Sequence, residues 1–167
     1  SLQHIVSKFG RYIVDPVMRN IIGQRKSAFN IRQIMDKGKI LFICLSKGRL
    51  GEQSAALLGM IFITKLQAAA YSRVDTRESK RRDFYLYVDE FQNLATDRFA
   101  SLLSEARKYR LNLTLTNQYF SQLIEPIRDA ILGNVGTLLS FRVGLTDGEM
   151  LAKEFYPVFD KDDLINL

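Results

Sequence analysis

Four short apolar runs, set apart by stretches with helical spacing, constrain this chain more than any other feature. They are ILFICL (40–45), FYLYVDEF (84–91), LNLTLTNQ (111–118) and TLLSFRV (137–143). ILFICL is continuously apolar rather than alternating, which suits a strand covered on both faces of a parallel sheet. Strand and helix in alternation require right-handed crossovers between parallel neighbours. The expected fold is α/β: a mainly parallel sheet flanked by helices in three layers. At 167 residues a single domain is expected, with residues 1–38 a helical lead-in and 39–167 the αβ core.

The helical stretches carry their own start and stop signals. Asp15-Pro16 opens a helix through Val17, Ile21 and Ile22 that stops at Gly23. Asn30 caps a second through Ile31, Ile34 and Met35, ended by Gly38 in the left-handed conformation. SKGRLGEQS (46–54) is a turn feeding a long helix, about 51–72. Phe99, Leu102, Leu103 and Ala106 mark an amphipathic helix over 96–110. Another runs from Pro126 to a stop at Gly133, and Thr146 with Glu149 forms a capping box for 146–155. The connection 72–83 sets five basic residues against three acidic ones and reads as a solvated, mobile link rather than a phosphate contact.

Composition narrows the function classes. Lys+Arg 24 against Asp+Glu 18 gives a net charge of +6, mildly basic and compatible with a polyanionic partner. One cysteine excludes a disulfide framework, and one histidine excludes a Cys/His zinc site. Cys44 reads as a small core hydrophobe, and neither it nor His4 carries functional weight. The longest apolar run, 55–64, falls short of a membrane span. A start at Ser1-Leu2-Gln3 without an initiator Met is expected of a piece of a longer polypeptide.

The chemistry concentrates at two strand ends. Tyr85-Leu86-Tyr87-Val88 runs into Asp89-Glu90, placing two acids at the C-terminal edge of a strand, where open α/β sheets bind ligands. There Asp89 can hold Mg²⁺ through water and Glu90 can orient or deprotonate an attacking water. Alone, the pair is equally a solvated strand end. The following strand carries Asn117-Gln118 past its own C-terminal end, where Gln118 can touch a γ-phosphate or its attacking water; alone, it is equally a turn. Tyr119 and Phe120 read as packing residues before base-stacking ones. No GxxxxGKS/T motif exists. Gly48-Arg49-Leu50-Gly51-Glu52-Gln53-Ser54 joins strand to helix but lacks the lysine, and Glu52 there repels phosphate. The chain by itself is therefore expected to be inactive towards ATP.

In combination, DEFQNL (89–94), SEARKYRL (104–111) and TNQYFSQL (116–123) resemble the C-terminal half of the RecA-like P-loop NTPase motor domain of type IV secretion and conjugation coupling ATPases. These are of the TraG/TraD type within the FtsK–HerA superfamily. The resemblance extends from DPVMRNIIGQ (15–24) through GKILFICLSKGRLGEQSAALLG (38–59) to FDKDDLINL (159–167). It implies Asp89 as the Walker B magnesium carboxylate, Glu90 as the water-activating glutamate and Gln118 as the sensor glutamine. From the residues alone Arg107 and Arg110 both read as helix-end cations favoured by the dipole; the resemblance implies Arg107 instead as a finger presented to a neighbouring subunit's nucleotide, while Arg110 keeps the dipole reading. Walker A departs from the pattern by its absence. The function implied is an ATP-driven DNA translocase that couples DNA or nucleoprotein to a secretion channel, with ATP and Mg²⁺ as cofactors. Its expected partners are DNA, copies of itself in a ring hexamer, and secretion-channel and relaxosome proteins. Its expected place is the cytoplasmic face of the bacterial inner membrane, without membrane contact by this segment. The alternatives are a non-catalytic nucleic-acid or partner-binding half-domain, and a protein-secretion or DNA-repair pump of the same superfamily.

Overall fold

The computed structural model describes Gly10 and residues 14–167, except the side chains of Asp97 and Arg98. His4 and most of the expected helical lead-in before residue 14 lie outside the described residues. The chain forms two compact units, the first comprising the described residues up to Phe84 together with Lys108–Leu111.

In the first unit, α1 (Pro16–Ile22) begins where the Asp15 carboxylate accepts the amides of Val17 (2.8 Å) and Met18 (3.0 Å). The Asn30 side chain accepts the amide of Gln33 (3.0 Å) and so opens α2 (Ile31–Asp36). Gly38 follows at φ +60°, where a Cβ would meet the Arg82 guanidinium. A short α3 (Lys47–Leu50) leads into the 20-residue α4 (Glu52–Tyr71). By length and composition α4 with its extension is apolar enough to cross a membrane. Its buried residues (Ser54, Ala55, Leu58, Gly59, Ile63, Leu66 and Ala70) form one stripe, as in a core helix, and it packs against α2.

Three expectations in this unit are corrected. ILFICL forms no strand: Ile40 is 82% and Phe42 93% exposed, and Cys44 is exposed rather than core. A buried parallel strand needs a ladder partner, and the sheet of the described residues holds only two strands, neither of them this run. The charged connection is anchored rather than merely solvated. It contains two 3-10 turns, Ser72–Asp75 and Glu78–Lys80. Arg73 is fully buried and donates from Nε to Asp36 Oδ1 (3.1 Å), from Nη1 to the Tyr109 carbonyl (2.8 Å), and from Nη2 to the Arg82 carbonyl. Arg81 Nε donates to the carbonyls of Arg73 and Thr76 (both 2.9 Å) and Nη1 to that of Lys108. Arg110, at φ +53°, pairs with Asp83 (3.2 Å), so a specific ion pair replaces the expected dipole role.

The second unit holds Tyr85–Arg107 and Asn112–Leu167. Strands β1 (Phe84–Val88) and β2 (Leu111–Leu115) are parallel neighbours: Phe84 N–H bonds the Arg110 carbonyl (2.9 Å) and Thr116 N–H the Val88 carbonyl (3.0 Å). That register sets Val88 beside Leu115. Tyr85, Tyr87, Asn112 and Thr114 are exposed while alternate residues are covered, so β1 and β2 are shielded on one face rather than two.

Beyond β1, α5 (Asp97–Glu105) buries Phe99 and Leu102 completely and gives way to a 3-10 turn, Ala106–Tyr109. Helix α6 (Glu125–Asn134) packs against α5 and runs through Gly133 instead of stopping there. TLLSFRV forms no strand. Leu139 and Phe141 are 84% and 86% exposed, and Val143 N–H bonds the Leu164 carbonyl (3.2 Å) instead of a sheet neighbour. Helix α7 (Leu145–Phe155) starts after Gly144, one residue earlier than expected, and Thr146 makes no cap. The capping box belongs to α8 (Lys161–Asn166), between Asp160 and Asp163. The α/β class stands, with more helix and fewer strands than the apolar runs implied.

Candidate functional site

The β1–β2 register brings the two chemical strand ends together. Beyond Val88, Asp89 lies beside Thr116, whose hydroxyl donates to Asp89 Oδ1 (2.5 Å). The same oxygen accepts the Glu90 amide (3.0 Å), while Oδ2 accepts no hydrogen bond among the described residues. Asp89 is exposed, with one oxygen fixed by two hydrogen bonds.

Glu90 sits at φ +51°, ψ +42° in the left-handed region. A non-glycine residue held there stores strain that neighbours must overcome. Phe91 supplies the anchor: it is buried, its amide bonds the Thr116 carbonyl (3.0 Å), and its ring lies 5.6 Å from that of Phe99. The Asn93 side chain donates to the Glu90 carbonyl (3.0 Å). Both carboxylate oxygens of Glu90 then receive amide donors, Oε1 from Gln118 Nε2 (2.5 Å) and Oε2 from Gln92 Nε2 (2.7 Å). Gln92 Oε1 is a buried oxygen without a partner.

Asp89, Glu90 and Gln118 therefore form one hydrogen-bonded group, as expected from successive strands. Arg107 is exposed on the Ala106–Tyr109 turn, and no hydrogen bond or ion pair joins it to that group. Asn117 and Gln118 line an open cleft of about 810 Å³ with Tyr119, Arg142 and Asp147. Phe120 is buried, as a packing residue should be, and Tyr119 is 54% exposed. Among the described residues no group of three or more His, Cys, Asp or Glu can hold a metal. A cation at Asp89 would thus keep most of its water, which suits Mg²⁺ and its reluctance to dehydrate.

Three members of the neighbourhood escaped the reading of the sequence. Gln92 sits inside DEFQNL, two residues beyond Glu90, and only the left-handed turn brings it back onto that carboxylate. Thr116 becomes relevant once the register is known. Asp147, which carries no motif of its own, accepts the amides of Phe120 (2.9 Å) and Ser121 (2.8 Å) at the turn after Gln118.

The sequence matches the family model described as Type IV secretory system Conjugative DNA transfer over residues 2–133. No curated protein and no solved structure matches the chain. The matched stretch is most of the chain and contains Asp89, Glu90, Arg107 and Gln118. The chain thus belongs to the conjugative DNA transfer family of type IV secretory systems, with the motifs of the TraG/TraD coupling type.

Proposed function

We propose that this chain is part of an ATP-driven motor that feeds DNA or nucleoprotein into a type IV secretion channel, and that its strands belong to a RecA-like P-loop NTPase core. The observation that carries the reading is the convergence of Asp89, Glu90 and Gln118 at one edge of β1–β2 in a chain of this family. Asp89 offers its unbonded Oδ2 to Mg²⁺ through water. Mg²⁺, when bound, neutralises charge on the nucleotide phosphates. Glu90, its two oxygens held by the amides of Gln92 and Gln118, takes the proton of the attacking water. Gln118, exposed and bonded to Glu90, orients that water or a phosphate oxygen.

Arg107, exposed and without an ion pair among the described residues, serves in this reading a nucleotide other than its own subunit's, as a finger in a ring of identical copies. The phosphate cradle lies in polypeptide other than these 167 residues, so this chain alone does not turn over ATP. DNA, further copies of the chain, and channel and relaxosome proteins are the partners. The cytoplasmic face of the bacterial inner membrane is the site of action. Support for these partners and this location comes from the family, and the net charge of +6 accords with a polyanion.

The test is conjugative transfer frequency in cells whose complete protein carries Asp89→Ala, Glu90→Gln or Arg107→Ala. Each variant should accumulate normally and lower transfer by about 10³, the scale on which a finger or a base governs turnover. Transfer at the wild-type frequency by the first two variants would remove the site from the function.

A further inference from the structure

The Gln118 side chain is exposed, so its aim at Glu90 depends on its backbone. That backbone is fixed at two points. Before it, Thr116 donates its N–H to the Val88 carbonyl and accepts the Phe91 N–H, both at 3.0 Å. After it, the amides of Phe120 and Ser121 point into the Asp147 carboxylate, at 2.9 Å to Oδ2 and 2.8 Å to Oδ1. Only Asn117, Gln118 and Tyr119 lie between the anchors. A three-residue span held at both ends has little freedom to re-aim a side chain.

Asp147 is 4% exposed, and no cation pairs with it among the described residues. A buried carboxylate without a counter-ion is costly unless its oxygens are hydrogen-bonded. The two loop amides, with the N-terminal dipole of α7, meet that requirement. The residue lies outside the stretch 2–133 matched by the family model and beyond the last of the strand-end motifs. We infer that Asp147 is a positioning residue: from the first turn of α7 it clamps the Phe120–Ser121 turn and thereby sets the aim of Gln118 at Glu90. Its catalytic consequence rests on the ATPase reading proposed above, but the clamp itself does not.

Asp147→Asn keeps the shape and replaces one acceptor with an amide that faces an N–H donor, so one of the two bonds is lost. The first measurement is NMR of the ¹⁵N-labelled chain without nucleotide. The Gln118 side-chain amide resonance should move to the free-glutamine position, while the Gln92 side chain and the Phe91 and Thr116 backbone amides stay in place. An unmoved Gln118 resonance overturns the clamp. So does a collapse of the Phe91 and Thr116 amides together with it, in both Asp147→Asn and the milder Asp147→Ser, because the role is then general folding.

The second measurement is ATP turnover in the complete motor. Asp147→Asn should lower kcat about tenfold with KM within about twofold, and should lower it less than about twofold when Gln118→Ala is already present. Equal losses in both backgrounds contradict positioning through Gln118. If Gln118→Ala alone turns over ATP at the wild-type rate, the sensor reading fails, and the resonance shift still decides the clamp.

Discussion

Arg32 ties α2 to the first 3-10 turn of the charged connection. Its guanidinium bonds Asp75 (2.7 Å), Asp36 (2.5 Å), Ser72 (3.0 Å) and Thr76 (3.1 Å). The Arg32 bond, and after it the Thr76 hydroxyl, holds the Asp75 carboxyl below the ordinary carboxylate value, while Asp75 and Asp36 raise Arg32. A carboxyl depressed in the folded state takes up its proton first in the unfolded chain. Its contribution is therefore present at neutral pH and is lost as pH falls from the ordinary value of 3.8 through the lower folded one. Asp75 is 66% exposed, so solvent screens the pair and the effect is small. Asp75→Asn should melt slightly below wild type at pH 7, and the two melting curves should converge below pH 3.8. A gap that persisted or widened in acid would show that the ion pair is not its source.

Elements show where local chemistry suffices and where it does not. The caps at Asp15 and Asn30 and the left-handed Gly38 were legible because each acts within a few residues of itself. The amphipathic spacing of Phe99, Leu102 and Ala106 was legible for the same reason. ILFICL and TLLSFRV were misread because an apolar run becomes a strand only when another strand offers its edge, and no local signal reports that. The cap of α7 was expected at Thr146 and lies two residues earlier, at Gly144, and Asp147 in its first turn meets the loop amides after Gln118. The connection 72–83 looked solvated because its composition is charged. Arg73 inverts that expectation by spending its guanidinium on two backbone carbonyls and Asp36. Arg73→Met keeps the aliphatic stem and removes all three bonds made by the buried guanidinium, at a cost of about 2–4 kcal/mol. Urea unfolding should show that loss in the transition midpoint; a midpoint within about 0.5 kcal/mol of wild type would mean that water replaces the guanidinium.

At the scale of the whole molecule, the strand-end acids and the glutamine were legible because parallel neighbours deliver their C-terminal ends to one edge. Gln92 and Thr116 were not, because their roles depend on a left-handed turn and on a register that spacing alone does not encode. Arg107 is exposed and makes no hydrogen bond or ion pair with Asp89, Glu90 or Gln118. The most direct measurement is ATP binding and hydrolysis, with DNA present, by the complete motor carrying Glu90→Gln. An amide cannot take a proton from water, so ATP should bind with near wild-type affinity while hydrolysis falls by about 10²–10⁴. Hydrolysis at the wild-type rate by nucleotide-saturated Glu90→Gln would contradict the assignment of this site.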